Sequence, residues 1–268
     1  MPAYSLGAHA YFFTQYGFKQ STQHDEIFKI VAAAGYPAIE VHSESVEAPD
    51  SGDRIRKALD CTGLRFIGVS FGAPFWDIGD YDNVIRSAET LCAKLTELNL
   101  GPLKSGCSVT GKRFAERTDA ENEQCVKVMK EVAQLFRSRG HQFLYHNHGE
   151  PIDDVQLVLD HIPADVMRLC PDLDWLRVGG IDQEPFLREN RDRIAMIHVR
   201  DYFNGGTRAE ALGEGDADFG ALAKLLDEIG FTGELIVELA LPSSKQRSRT
   251  PQELLEISRR HVRRTMGL

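Results

Sequence analysis

The chain has little that would staple, anchor or positively charge it. Its five cysteines, at positions 61, 92, 107, 125 and 170 of 268 residues, are odd in number and form no C-x-x-C pair. That pattern argues against a disulfide framework and against a thiolate zinc site, so reduced thiols and a cytoplasmic location are expected. No apolar run approaches the ~18 residues that would span a bilayer. The N-terminal stretch MPAYSLGAHAYFFTQYGFKQ also lacks the basic start and unbroken apolar segment of a leader, and no membrane partner is expected. Basic residues are in deficit: 31 Lys and Arg stand against 40 Asp and Glu, a formal charge of −9. Such a balance repels phosphate backbones, which removes nucleic acid as a default partner. The one dense basic patch, Arg259, Arg260, Arg263 and Arg264, reads as a solvated face that complements the dipole of a last helix.

What is present is an ordinary globular composition, 42% hydrophobic and 26% charged, on a chain long enough for one large core. Short apolar or β-branched runs at 4–9, 38–42, 65–70, 99–104, 142–147, 168–174, 194–199 and 234–239 read as strands. Helix signals stand between them. Thr118 with Glu121 makes a capping box, Val128, Val132, Leu135 and Phe136 follow at helical spacing, and Gly140 sits at a C-cap. Thr250, Pro251 and Glu253 open the last helix, while Gly35, Gly63 and Gly230 close others. Eight strands alternating with helices predict a single α/β domain over residues 1–268, a closed (β/α)8 TIM barrel, for which about 250 residues are typical.

In such barrels chemistry sits at the C-terminal ends of the strands. The expected ends hold His9, Glu40, His42, Lys104, His146, His148, Asp174, His198, Arg200 and Glu238, and a packed core needs no titratable residue there. In LYHNHGEP, residues 144–151, His146 and His148 share a face if the segment is extended. Strands 5 to 8 would bring His146, Asp174, His198 and Glu238 together as metal ligands. Imidazole with carboxylate suits Mn2+, Zn2+ or Co2+ better than Mg2+, which prefers oxygen and water. Glu40 is a candidate for binding hydroxyl groups of a ligand. Lys104 and Arg200 would reach into the mouth, where a cation can hold a carboxylate, a phosphate or an enolate oxygen. Trp76, Phe12 and Phe13 would wall a pocket with apolar faces, and Glu150 would orient a histidine. LGEGDADF at 212–219 is no phosphate fingerprint; it reads as a loop ending in Asp218 as a helix cap.

LYHNHGEP, IHVRDY at 197–202, LGEGDADFGALAKLL at 212–226, GFTGELIVEL at 230–239 and AGYPAIEVH at 34–42 together resemble the xylose isomerase-like TIM-barrel family. Sugar phosphate isomerases and epimerases, ketose 3-epimerases, inosose dehydratases and, more remotely, endonuclease IV belong to that group. The resemblance implies a divalent metal ion, Mn2+ first and Co2+, Zn2+ or Mg2+ as alternatives, a sugar or cyclitol substrate, and a homo-oligomer. It also implies proton abstraction beside a carbonyl through a metal-stabilised enediolate. Glu238 is then the leading base, His148 an acid or second base, and His146 a further member of the catalytic group. The epimerases place Glu on strand 5, Asp on strand 6, His on strand 7 and Glu on strand 8, and Asp174, His198 and Glu238 stand at the last three. His146 occupies the first, which leaves symmetric two-base epimerisation open to question. Inosose dehydratases carry a His-x-His run there, so elimination of water from a keto-sugar or keto-cyclitol is the alternative. An endonuclease IV-like nuclease would need a trinuclear zinc cluster and a basic face, and an accessory sugar-binding barrel would need no metal.

Overall fold

A computed structural model describes residues 2–241 and 249–268. Eight parallel strands, β1 Ser5–His9, β2 Ala38–His42, β3 Arg65–Ala73, β4 Lys104–Val109, β5 Gln142–Tyr145, β6 Arg168–Leu169, β7 Met196–Val199 and β8 Glu234–Val237, form one sheet in the order β6-β5-β4-β3-β2-β1-β8-β7. Parallel bridges Leu169–Ile194 and Asp172–His198 join β6 to β7, which leaves the barrel nearly closed. Around it run α1 Tyr11–Thr14, α2 His24–Ala33, α3 Ser51–Thr62, α4 Tyr81–Leu98, α5 Asp119–Ser138, α6 Ile152–His161, α7 Leu173–Val178, α8 Gln183–Glu189, α9 Phe219–Glu228 and α10 Pro251–Met266. Among the described residues no helix is long and apolar enough to cross a membrane.

Local chemistry sets these boundaries. Thr118 and Glu121 cap α5 reciprocally, and Thr250 and Glu253 do the same for α10, whose N1 position is Pro251. Each box satisfies two amide donors that a helix start leaves unpaired. Asp218 caps α9 through Ala221 N at 2.9 Å. Of the basic patch on α10, Arg260, Arg263 and Arg264 are exposed, while Arg259 is half-buried with Nε donating to Gly35 O at 2.9 Å.

Two cores result. Ala38, Ile67, Leu144, Cys170, Ala195, Met196 and Ile236 fill the barrel, and a larger cluster lies between strands and helices. Phe12 and Phe13 are fully buried in the larger cluster, rings 4.5 Å apart, so they do not wall the mouth. Where β2 and β3 shift register at Ile39 and Glu40, a Cβ on Gly68 would lie 1.6 Å from Lys104 O. Only glycine permits that approach.

Two strand expectations shift, with consequences for the site. Residues 99–103 are not strand: Asn99 C-caps α4 at φ 54 and Gly101 turns at φ 86, so β4 begins at Lys104. Lys104 therefore lies at the opposite end of the barrel from the mouth. Its ammonium bonds Ala195 O at 3.3 Å and Glu234 Oε1 at 3.4 Å, and Glu234 also takes Arg65 Nη2 at 2.8 Å. Burial lowers the pKa of Lys104, with Glu234 opposing. At the other shift, Pro171 cannot donate to a ladder, so β6 ends at Leu169. Asp172 then caps α7 through Trp175 N at 3.1 Å, which puts Asp174 in a helix rather than at a strand end.

Outside the barrel, Arg117 and Asp154 form an ion pair with side chains 1% and 3% exposed. Arg117→Met leaves a buried carboxylate without its cation, and such breaks cost about 3–5 kcal/mol. A urea-unfolding midpoint unchanged by the substitution would show the pair to be energetically neutral.

Candidate active site

The strand ends bring buried polar groups to one place. β1 and β2 pair His9 with Glu40; beyond β5, His146 N continues the ladder to Cys107 O at 2.7 Å, and beyond β8, Glu238 N bonds Val199 O at 3.1 Å. A cavity of about 410 Å3 opens above them, within the range of small-molecule sites. His9, Ser70, His146, His198, Arg200 and Glu238 form its floor, Tyr11, Gln15, Ala240 and Leu241 one wall, and His148, Trp175 and Arg208 the other.

One donor atom each from His146, His198 and Glu238 of this floor and from Asp172, which does not line the cavity, lies within 4.8 Å of the others, all four residues buried. His198 Nδ1 meets Glu238 Oε2 at 2.6 Å and its Nε2 meets Glu40 Oε2 at 2.8 Å. Burial opposes charge on this ring, but Cys170, Glu40 and Glu238 raise its pKa well above the ordinary value, so it stands as an imidazolium bridging two carboxylates and can ligate an ion only by giving up one of its two protons. Arg200 joins the group, with Nε on Asp172 Oδ2 at 2.9 Å and Nη2 on Glu238 Oε1 at 2.5 Å. Burial favours a neutral Glu238, yet Arg200, His9 and His198 hold its carboxyl well below the usual range. Asp172 goes the other way, raised by burial against the pull of Arg200. Burial, with His198 adding to it, lowers His146 well below the usual imidazole value. Its Nδ1 lies 3.1 Å from Cys170 O, an acceptor only, so Nδ1 carries the proton and Nε2 keeps the lone pair.

These residues fit a divalent ion. Two imidazoles and two carboxylates converge, a donor set suited to metals of intermediate hardness. The buried Glu40 Oε1 has no hydrogen-bond partner, leaving acceptor capacity beside His198 that a cation would satisfy.

The wall is layered. Trp175 packs against the His148 ring, centroids 4.3 Å apart and planes tilted by 44°, and against the Arg208 guanidinium at 4.2 Å. Arg208 Nε donates to Asp174 Oδ2 at 2.7 Å, and Arg177 holds the same carboxylate at 2.7 Å. Gly149, at φ +84, permits the turn after His148, since a Cβ there would lie 2.9 Å from Trp175 Cε3. The loop after β7 wraps Asp201, which accepts amides of Tyr202, Gly213, Gly215 and Ala217; this anchors the segment that presents Arg208. Burial lowers His148 to about 4, with Arg200, Arg113 and Arg208 adding to the shift and Glu238 opposing it. A depressed histidine pKa means the unfolded chain binds the extra proton first, so its contribution to stability is present above about 6.5 and is lost as pH falls toward 4. Proton NMR of the His148 ring should show a midpoint near 4; a midpoint near 6.5 would mean that the ring is solvated.

Of the residues singled out from sequence, His146, His198, Arg200 and Glu238 meet at the floor, and His148 lines the cavity. Glu40 is fully buried beneath it, paired with His198 rather than open to a sugar. Asp174 stands apart, neutralising Arg177 and Arg208, and Asp172 takes the place at the cluster. Lys104 is at the far end. Trp76 does not line the cavity: its Nε1 donates to Thr110 O at 2.7 Å and Lys112 covers its ring at 4.7 Å. Glu150 accepts the backbone amide of His148 and Arg113 Nη1 at 2.8 Å, so it fixes a turn instead of an imidazole. Asp172, Trp175, Arg208 and Asp201 were missed. Only Asp172 had a signal, as a capping residue directly after a strand-ending proline.

A family model described as a xylose isomerase-like TIM barrel matches residues 28–264. Curated relatives include an inosose dehydratase of Geobacillus kaustophilus, 22% identical over 247 residues that cover 80% of this chain and 79% of the relative. Another, the inosose dehydratase of Yersinia enterocolitica, is 23% identical and covers 89% and 88%. Among solved structures, a D-allulose 3-epimerase from Methylomonas sp. superposes with TM-score 0.78 at 13% identity, covering 98% of both chains. A 3-keto-D-glucoside 4-epimerase from E. coli gives 0.75 at 16%, covering 97% and 99%.

Proposed function

The chain belongs to the xylose isomerase-like TIM barrel family, and from that premise we propose that it is a one-domain, divalent-metal-dependent enzyme that isomerises or epimerises a sugar or cyclitol. The observation that carries this reading is the convergence of His146, Asp172, His198 and Glu238 at the barrel mouth, three of them lining the cavity and Asp172 fully buried. These four would hold the ion, Mn2+ by the mixed imidazole and carboxylate set, with Co2+, Zn2+ or Mg2+ as alternatives. When bound, the ion supplies Lewis acidity toward a substrate oxygen.

The remaining work falls to the chain. Glu238, ionised across the neutral range, accepts the proton from the carbon beside the carbonyl. Arg200 holds Asp172 and Glu238 in register. His148, uncharged at neutral pH, presents its ring at the cavity wall as a second proton acceptor, and Glu238, once protonated, is the group that returns the proton. Arg208, pinned by Asp174, contributes hydrogen-bond donors at the wall.

A second reading, elimination of water from a keto-sugar or keto-cyclitol, is favoured by the His146 and His148 pair and by the inosose dehydratases among the relatives. In that case neutral His148 would hold the departing hydroxyl as a hydrogen-bond acceptor, and the proton taken up by Glu238 would leave with that hydroxyl as water. The test is elemental analysis of protein purified without chelator or histidine tag, followed by a screen of keto-sugars and inososes in heavy water. About one Mn, Co, Zn or Fe per chain with deuterium entering an unchanged or epimeric sugar supports the first reading. Loss of water from the substrate supports the second, and absence of metal would overturn both.

A further inference from the structure

Beneath the proposed metal site lies a sulfur that the mechanism leaves idle. Cys170, the residue after β6, is fully buried among the side chains that fill the barrel. Its Sγ is 3.7 Å from His146 Nδ1, and one donor atom each of His146, Cys170 and His198 lies within 4.8 Å of the others. The rings of His146 and His198 are 4.8 Å apart between centroids, so both imidazoles border the upper carboxylate set and the lower thiol.

A further feature places an unpaired acceptor beside them. The orphan Oε1 of Glu40 is directed into this region, where a Cβ on Gly106 would stand 3.7 Å from that oxygen and from His146 Cβ. Around a tetrahedral zinc, with bonds of about 2.0–2.3 Å, neighbouring donors stand about 3.5 Å apart. The present spread needs a closure of about 1 Å, within reach of side-chain adjustment.

We propose that Cys170, His146 and His198 form a second, deeper metal site selective for thiophilic ions such as Zn2+ or Cd2+, and that its occupancy excludes the working ion above it. Sulfur and imidazole suit soft and borderline ions, whereas Mn2+ and Mg2+ favour the carboxylates of Asp172 and Glu238. A neutral imidazole has one lone pair, which on His146 the upper set needs at Nε2 and the deeper set at Nδ1, so the two sites compete for the ring. Binding breaks the S–H bond of Cys170 and one N–H bond of the His198 imidazolium, moves the His146 proton from Nδ1 to Nε2, forms the sulfur–metal and nitrogen–metal bonds and releases two protons to solvent. The consequence is inhibition by thiophilic ions without contact with substrate. This inference rests on the reading of His146, Asp172, His198 and Glu238 as the site of the working ion.

The experiment is titration of the full chain with Cd2+, in a Cys61→Ser background that removes the exposed cysteine. Near-ultraviolet absorbance follows thiolate–cadmium charge transfer, and electron paramagnetic resonance follows Mn2+ loaded beforehand. The expected result is a charge-transfer band saturating at one Cd2+ per chain, with one Mn2+ set free for each Cd2+ bound. Cys170→Ser should lose the band while still binding Mn2+, which also shows that it is folded; Asp172→Asn should keep the band while losing Mn2+. Cd2+ displacing Mn2+ without a band would overturn the deeper site and leave the upper one standing. Simultaneous occupancy by both ions would also overturn it, and failure of Mn2+ itself to bind would remove the reading beneath it.

Discussion

Glu238→Gln should lower deuterium incorporation into a keto-sugar or inosose about 1,000-fold, with the barrel intact. Removal of a positioned general base typically costs 10²–10⁴-fold, and the substitution keeps the shape of the side chain while deleting its charge. The charge is held in place from two sides, by Arg200 at Oε1 and His198 at Oε2. The glutamine amide can accept from only one of them through its oxygen, so Arg200 falls back on Asp172. Glu238 is depressed below the ordinary carboxylate value, burial opposing and Arg200, His9 and His198 prevailing. Its stabilising contribution is therefore present above an unfolded pKa of about 4.3 and lost only as pH drops through the lower folded value. Wild type and variant should accordingly show a constant stability difference from pH 6 to 8, which separates the catalytic loss from unfolding. Exchange by the variant within tenfold of wild type would move the base assignment to His148.

The difference between what could and could not be read in advance is physical. The barrel was legible because its strands are short apolar runs between helices with strong punctuation: the Thr118 and Thr250 boxes and Gly35, Gly63, Gly140 and Gly230 all terminate elements where expected. Errors arose where a proline or glycine lay inside a run that looked extended. Gly101 delayed β4 and sent Lys104 to the far end; Pro171 ended β6 early and turned PDLDW into a cap and a helix. His146, His198 and Glu238 were visible because His146 and Glu238 directly follow a strand and His198 is one residue from the end of one. Arg208 and Trp175 were not, because they enter the cavity from loop and helix, and side-chain direction there depends on Asp201 and Asp174, long-range partners without periodicity. Glu40 was visible as a mouth residue, but its pairing with His198 across the barrel depends on closure of the sheet.

The pair Asp172 and Asp174 provides the sharpest division between a ligand and a brace, since two identical side chains two residues apart should respond differently. Asp172→Asn should reduce metal affinity by at least about 100-fold, at or beyond the 10–100-fold typical of losing an outer partner. Asn still caps α7, so the helix should survive, and Arg200 keeps Glu238. Asp174→Asn should leave metal content at wild-type level. Its effect falls on Arg208, which loses a 2.7 Å charged bond while Arg177 loses the shared counter-charge. Arg208 would then leave the Trp175 face part of the time, and the expected signature is a raised KM with kcat nearly unchanged. Metal content by mass spectrometry and a KM-against-kcat comparison, run on both variants, test the two roles together. Loss of metal from Asp174→Asn with retention in Asp172→Asn would reverse the assignment, and it would require the loop beyond Pro171 to rotate by two residues so that Asp174 rather than Asp172 faced His198.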